Sequence, residues 1–392
     1  MIAHIIVLIL LVIAVPDYYL HRHYLRRRRG YTLKWRFLWW LPAVVLAVYA
    51  LVLSAVSDFA PTEINYLYLF LLLLGLLVVP KVIFALCSSI GLIVCRLSHT
   101  RQNWGNAVGL VLGLLAVGAT IYGSTLGITR LKVRHEVFSS KELPPAFDGY
   151  RIVHFSDAHV GACTGYRAVI LERLVDSINA QKADLVVFTG DLQNKLPAEL
   201  DPVQPLLSRI HARDGIYAVM GNHDYAKYIS ADPLECNMNE ALTENKMRSL
   251  GWTLLINENS VVRRGTDSIF VAGTGDDCDS RYQPERSKRS DFRKAMAGIP
   301  DKAFTLMLHH APQLWPDSIL QHTSAQLTLS GHTHGGQVKL FGFAPISLRE
   351  RYWGGMYHEG HRAMNVSTGV SGLIPFRIGM LPEIVVVTLK RE

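Results

Sequence analysis

Five short stretches of the sequence end in side chains that can hold a cation or move a proton. They are Ser156-Asp157-Ala158-His159, Gly190-Asp191, Gly221-Asn222-His223-Asp224, His309-His310-Ala311-Pro312 and Gly331-His332-Thr333-His334-Gly335-Gly336-Gln337. Each follows an apolar run. Taken singly they say little, because an Asp after a strand is commonly a turn residue or a helix cap. A lone His-x-His pair is commonly a surface feature. Taken together they deliver oxygen and nitrogen donors from five chain-distant segments. Carboxylate mixed with imidazole suits Mn, Fe or Zn, whereas Ca and Mg prefer all-oxygen surroundings.

The apolar runs at 151–156, 184–189 and 215–220 read as buried strands by their length and flanks. Helical spacing fills 168–180 and 202–211 between them. Strands alternating with helices imply an α/β core with a largely parallel sheet, whose ligands collect beyond the carboxyl ends of the strands. Shorter strands follow at 253–256, 261–264, 269–272, 304–309, 326–330 and 384–389. Residues 136–149, with Pro144-Pro145, read as a linker ahead of a domain at 150–392.

Residues 1–135 are different in kind. The 392-residue chain is 49% hydrophobic and 18% charged, with mean hydropathy +0.19 and net charge +8. Five Cys are too few for a disulfide scaffold, and the high hydrophobicity excludes disorder for most of the chain. The front 135 residues hold 13 Lys and Arg against 3 Asp and Glu, a net of +10. The remainder holds 27 against 29, a net of −2, which gives no electrostatic footprint for nucleic acid. About 20 apolar residues cross a bilayer core of about 30 Å, and 37–56 and 107–128 meet that length. Residues 1–15 read as a short span closed by Pro16-Asp17-Tyr18-Tyr19 rather than a signal peptide, since no positive charge precedes them and no cleavage site follows. The stretch 64–97 is interrupted by Pro80-Lys81. It reads as one span from 64 to 86, kinked at Pro80 and running on into an interfacial segment, with a two-span hairpin as the alternative. This makes an all-α transmembrane module of about four helices. Arg26–Arg29, Lys34 and Arg36 place their loop in the cytoplasm; Asp58 and Glu63 suit the outside, and Arg96, His99 and Arg101 the inside. The back half then lies on the extracytoplasmic side of a cell (inner) membrane, although Arg130, Lys132 and Arg134 count the other way. Gly109/Gly113 and Gly123/Gly127 have the spacing of helix-packing faces. His4 and Lys81 stand alone as ionisable groups in the spans, which argues against a transporter.

In their order along the chain, the five stretches resemble the calcineurin-like metallophosphoesterase superfamily. The Gly-His-Thr-His-Gly-Gly-Gln ending and the tail Pro375-Phe376-Arg377 through Pro382-Glu383-Ile384 resemble its YkuE-like, transmembrane branch. The resemblance covers about 150–389. It implies a four-layer αββα sandwich holding two divalent or trivalent transition-metal ions. By motif, Asp157, His159 and His334 fall to one metal, and Asn222, His310 and His332 to the other, with Asp191 bridging. His310 rather than His309 takes the ligand place because it stands two residues before Pro312. His223 matches a histidine that stabilises the transition state or protonates the leaving oxygen, and Asp224 would orient its ring, with a helix cap as the plainer role. The implied reaction is hydrolysis of a phosphomonoester, phosphodiester or pyrophosphate, with the metals activating water.

The family's protein phosphatases carry Asp-Arg-Gly in a longer motif after Gly-Asp. Here the residues are Gly190-Asp191-Leu192-Gln193-Asn194-Lys195, which lowers a phosphoprotein role. A span ending near residue 128 keeps the domain close to the bilayer, so a lipid-linked phosphoester is a reasonable substrate. Asp276-Asp277 read as solvated loop acids, and Cys163 receives no role. The alternative is a membrane scaffold or metal sensor on the same fold without turnover; the complete donor set speaks against it.

Overall fold

The computed structural model describes residues 5–55, 64–225, 232–277 and 289–392. The loop 57–63, His4 and Cys278 lie outside the described residues. The chain divides into two compact units, Met1–Ser124 and Thr125–Glu392.

The first unit consists of α1 (Ile6–Leu25), α2 (Leu33–Ser54), α3 (Ile64–Leu97) and α4 (Gly105–Ser124), with the apolar stretch of α4 reaching Thr129. All four are long and apolar enough to cross a membrane. Helix α3 is one continuous element of 34 residues, so the two-span hairpin does not form. Pro80 cannot donate the backbone bond a regular helix needs. The preceding turn, Leu74–Val78, widens to i→i+5 spacing and absorbs that defect. Gly109 and Gly113 let α4 approach α3 closely: a methyl group on either would meet Phe84 at 3.0 Å or Pro80 at 3.3 Å.

Two expectations for this unit fail. Pro16 does not close the first span, because the helix continues through it to Leu25. Nor does Lys81 stand alone. Its Nζ donates to both oxygens of Asp17, at 2.7 and 3.0 Å, and lies 5.1 Å from the Trp39 ring centre. The pairing was hidden because 64 residues separate the partners. Asp17 is buried, so it needs the lysine. Detergent-solubilised Lys81→Met should therefore lose about 3 kcal/mol or more of stability, as a buried carboxylate loses its partner. A further Asp17→Leu change should restore most of it. A single variant that melts with the parent would show that the pair holds nothing together.

Among the described residues, the second unit contains twelve strands. They are β1 (Lys132–Ser140), β2 (Arg151–Phe155), β3 (Leu185–Thr189), β4 (Ile216–Val219), β5 (Thr253–Leu254), β6 (Glu258–Arg264), β7 (Asp267–Gly273), β8 (Thr305–Leu308), β9 (Leu327–Ser330), β10 (Gly355–Glu359), β11 (Arg362–Val366) and β12 (Glu383–Arg391). One sheet has the order β1-β12-β2-β3-β4-β5, the other β10-β11-β9-β8-β7-β6. Ile152, Val187, Val219 and Val385 of the first sheet pack with Ile269, Leu306 and Leu329 of the second, forming the inner core. The opposite face of the first sheet packs on α5 (Val169–Ala180) through Leu171, Leu174 and Ile178. The outer face of the second is covered by helical turns carrying Phe292, Trp315 and Ile319. The result is an αββα sandwich.

Residues 136–149, expected to be a linker, belong to this sandwich. Strand β1 runs parallel to β12 from Lys132↔Glu383 to Ser140↔Arg391, and Phe138, Leu143 and Phe147 are buried. An edge strand buries too few side chains to leave a clear alternation, which is why it escaped notice. Of 202–211, only Gln204–Leu207 forms an α-helical turn. Helix α6 (Pro233–Ser249) lacks a marked apolar stripe and was not foreseen.

A polar chain crosses the inner core. Arg134 of β1 donates to Glu383 at 3.1 Å and to Asn365 Oδ1 at 2.9 Å. Asn365 Nδ2 reaches His154 Nδ1 at 3.0 Å, and His154 Nε2 lies 2.8 Å from Thr189 Oγ1. Burial, then the Arg134 charge, lowers the His154 pKa to about 3. Below about pH 6.5 the unfolded chain binds a proton that the folded chain refuses, so His154 contributes stability above that pH and loses it as pH falls toward 3. Between pH 6 and 5, His154→Asn should lose stability less steeply than the parent, by up to about 1.4 kcal/mol per pH unit. Parallel pH profiles in chemical unfolding would contradict this.

Candidate metal centre

The strands of both sheets deliver their polar residues to one rim. Asp157 and His159 follow β2, Asp191 follows β3, Asn222 to Asp224 follow β4, His310 follows β8, and His332 and His334 follow β9. Asp157, His159, Asp191, His332 and His334 all have positive φ, between 40° and 71°. Non-glycine residues seldom adopt this conformation, and it marks strain retained at functional sites. The turns reverse so sharply that neighbouring backbones must be bare. A methyl group on Gly331 would lie 2.4 Å from Asp157 Oδ2, and one on Gly221 would lie 2.3 Å from Asp191 Oδ1.

The donors form overlapping groups. Asp157, His159 and His334 offer atoms within 4.8 Å of one another; so do Asp191, His310 and His332, and His159, Asp191 and His223. His334 Nε2 is 3.6 Å from Asp157 Oδ1, and His159 Nε2 is 3.6 Å from Asp191 Oδ2. His310 Nε2 is 3.2 Å from Asp191 Oδ2 and 3.2 Å from Asn222 Oδ1, which in turn lies 3.0 Å from His332 Nδ1.

For His310 and His159 these contacts set acceptor against acceptor when the rings are neutral. His310 Nδ1 faces the Thr189 carbonyl at 2.7 Å, and a carbonyl can only accept, so that nitrogen carries the hydrogen. In the neutral ring, Nε2 then points a lone pair at the oxygens of Asn222 and Asp191. The same holds on the other side. His159 Nδ1 faces Asn194 Oδ1 at 2.9 Å, leaving a buried Nε2 with no hydrogen-bond partner. His334 Nδ1 faces the Ser371 carbonyl at 3.1 Å. Electron pairs from rings, carboxylates and an amide thus converge on a shared space, an arrangement a cation stabilises and its absence leaves repulsive. The residues fit a metal group of mixed nitrogen and oxygen donors.

The proton equilibria express the same field. Burial lowers His159 and His332 to about 3, so both are neutral and ready to ligate at neutral pH. Burial raises Asp157 to about 6, assisted by the charge of Asp191 and opposed by His310. Asp191 resists the upward push of burial, because His310 and His223 hold its carboxyl well below the usual range. His310 is raised well above its ordinary value against burial, by Asp191.

The remaining residues sort themselves by contact. His309 points away, as expected: its Nδ1 meets Thr274 Oγ1 at 2.7 Å and its ring packs on Phe292. Asp224 does not orient the His223 ring. Its carboxylate accepts from the amides of Asp191, Leu192, Gln193 and Gly221 at 2.7–3.2 Å, pinning the turn that carries Asp191. Burial and the Asp191 charge raise its carboxyl to about 7, against those amides. The His223 ring is oriented by the Asn194 carbonyl, 2.6 Å from Nδ1. Asn194 thus serves two histidines, one through its side chain and one through its backbone, yet went unnoticed although it lies three residues after Asp191. Asp276 is buried, not solvated, and its amide meets the Tyr225 hydroxyl at 3.2 Å. Burial lifts the Cys163 thiol to about 11, so it is no nucleophile at neutral pH.

Arg377 also went unassigned. It is fully buried and donates to the carbonyls of Ser371 and Thr368 at 2.6 and 2.9 Å. Ser371 O is the carbonyl that fixes His334, and Ser371 N donates to the Asp157 carbonyl at 2.8 Å. Partners that orient metal-binding histidines are commonly worth 10–100-fold in affinity. Arg377→Met should weaken metal retention at Asp157/His159/His334 by about that factor while leaving the Asp191/His310/His332 group loaded. Equal retention at both, measured by chelator competition, would remove Arg377 from the site.

Comparison with known proteins agrees with this picture. Residues 3–128 match the family described as "Probable Calcineurin-like phosphoesterase, transmembrane domain", and residues 150–336 match "Calcineurin-like phosphoesterase". The chain is 30% identical over 294 residues to YkuE of Bacillus subtilis, described as an uncharacterized metallophosphoesterase, covering 71% of this chain and 95% of that one. It is 31% identical over 288 residues to a transmembrane protein with metallophosphoesterase domain from Danio rerio, covering 72% and 62%. It is 28% identical over 232 residues to the UDP-2,3-diacylglucosamine pyrophosphatase LpxG of Chlamydia trachomatis, covering 49% and 65%. The chain belongs to the calcineurin-like metallophosphoesterase family, with that family's transmembrane domain at its N-terminus.

Proposed function

We propose that this membrane-linked phosphoesterase binds two transition-metal ions and hydrolyses a phosphoester or pyrophosphate carried by a lipid. The convergence of unshared electron pairs from Asn222, Asp191, His159 and His310 is the observation that carries the reading. Asp157, His159 and His334 hold one ion, Asn222, His310 and His332 the other, and Asp191 lies between the groups. When bound, such a pair supplies a polarised water and positive charge for an in-line displacement at phosphorus. The protein's own residues do the rest. Asp191 is held in place by the His223 amide at 2.9 Å. His223, with Nδ1–H fixed on the Asn194 carbonyl, presents Nε2 to the rim, where in the protonated ring it can give a proton to the leaving oxygen. The mixed donor set favours Mn, Fe or Zn.

The lipid part rests on the transmembrane domain and on likeness to a relative named for a diacylglucosamine substrate. An extracytoplasmic domain is supported by Arg26–Arg29 in the first loop. Of the three contrary charges, Arg130, Lys132 and Arg134, the last loses weight, since its guanidinium is taken up by Glu383 and Glu136 within the domain. Inner-membrane placement follows from the same reading.

Purified full-length protein should carry about two metal ions per chain and hydrolyse bis-p-nitrophenyl phosphate. Chelation should abolish turnover and Mn should restore it. His223→Gln should keep both metals but lower kcat by about 10²–10⁴-fold, most for poor leaving groups. Metal-loaded parent without turnover would favour a scaffold or sensor instead; loss of metal in H223Q would make His223 a ligand.

A further inference from the structure

The segment that follows Gln337 ends in a feature the chemistry does not use. Leu340 and Phe343 pair across a tight turn, with reciprocal amide–carbonyl bonds of 2.8 and 2.9 Å. Its central residues are Phe341 and Gly342, both with positive φ. Asn, Asp or Gly usually occupies the first of these places, and a bulky residue there is strained. Phe341 gains no packing in return, being fully exposed at 108%. Leu340 and Phe343 are half exposed, and Leu348 is 82% exposed. Lys339, Arg349 and Arg351 flank this apolar tip. The nearby Glu350 is already engaged by Gln313 and Arg349. An apolar tip with cations close by in the sequence has the composition of an element that enters a lipid interface.

Its place in the domain points the same way. The apolar stretch that ends at Thr129 is two residues short of β1. At the start of β1, Lys132 N donates to Pro382 O at 2.8 Å. Four residues earlier, Ile378 pairs with the base of the tip: Lys339 N donates to Ile378 O at 2.7 Å, and Ile378 N to Gln337 O at 3.0 Å. Four residues span at most roughly 14 Å. Strand β1 is parallel to β12, whose start lies beside the end of β2, just before Asp157. The start of β1, the tip and the donor rim therefore occupy the same end of the first sheet.

We infer that the tip Leu340–Phe343, with Leu348, inserts into the bilayer surface and presents the rim to lipid headgroups, so that the substrate is drawn from the membrane. The substrate clause rests on the function proposed above; the insertion does not. Full-length protein in vesicles of phosphatidylcholine and phosphatidylglycerol tests it. The parent has Trp35, Trp39, Trp40 and Trp104 in its membrane module, so each variant is read as the difference from parent. The emission added by Phe341→Trp should be lost when the acyl chains are brominated, and that added by Arg213→Trp, before β4 at the opposite end of the sheet, should not. Phe341→Asp with Phe343→Asp should leave hydrolysis of water-soluble bis-p-nitrophenyl phosphate unchanged while lowering that of a diacylglycerol-linked p-nitrophenyl phosphodiester in the vesicles by about tenfold. Added emission that is insensitive to bromine overturns the insertion even if both substrates turn over. Emission from the F341W tryptophan that is shielded only at high protein density, without bromine dependence, assigns the tip to a second copy and overturns it too. Bromine quenching with no turnover of either substrate keeps the insertion and removes the function it was meant to serve. Quenching with equal turnover of the lipid substrate by parent and double-Asp variant overturns the delivery role.

Discussion

The buried carboxylate of Asp191 faces unshared electron pairs from His159 and His310, and much of the second unit is arranged around that contact. His310 lies 3.2 Å away with its other nitrogen fixed on a carbonyl, and His159 lies 3.6 Å away with its other nitrogen fixed on an amide oxygen. Neither ring in its neutral form can donate to the carboxylate. Such an arrangement is unfavourable unless positive charge enters it. It persists because the backbone leaves the side chains little else to do: the turns that carry them are strained, their neighbours are glycine, and their outer atoms are already bonded. The strain is offset by the two-sheet core beneath, where Val187, Val219, Leu306 and Leu329 are wholly buried.

The links between site and scaffold are mostly carbonyls and amides rather than side-chain partners. Thr189 O fixes His310, Asn194 O fixes His223, and Ser371 O fixes His334. Four amides hold Asp224, which secures the turn bearing Asp191. Arg377 then secures Ser371 from behind. Such supports make ring orientation a property of the sheet ends. They also connect the rim with β1, since Thr189 meets His154, His154 meets Asn365, and Asn365 meets Arg134.

Strands 151–156, 184–189 and 215–220 were legible because each is a short apolar run bounded by polar residues, and helix 168–180 because its apolar residues recur at helical spacing. The donor set was legible for a related reason: ligand residues at strand ends occupy fixed places in short motifs. What escaped was whatever depends on a distant partner. Asp17 and Lys81 look like an interfacial acid and a solitary base until two helices bring them together. Residues 136–149 look like a linker because an edge strand has one neighbour and little periodicity. Asp224 looks like the companion of the histidine beside it, yet its neighbours in space are amides from another turn. Arg377 stands in a recognisable tail and Asn194 in none, yet neither shows its role in the sequence, since orienting a carbonyl or offering one requires no particular motif.

The sequence by itself determined the chemistry available: imidazoles and carboxylates after apolar runs, and spans of sufficient length to cross a bilayer. Side-chain type and local periodicity are local properties, so they can be read locally. Only the tertiary structure decided which nitrogen of each ring faces the rim, which carboxylate serves the backbone instead, and that β1 begins at the same end of the sheet as Asp157. Those outcomes depend on hydrogen-bond partners far apart in the chain, and on strand directions that no single segment contains.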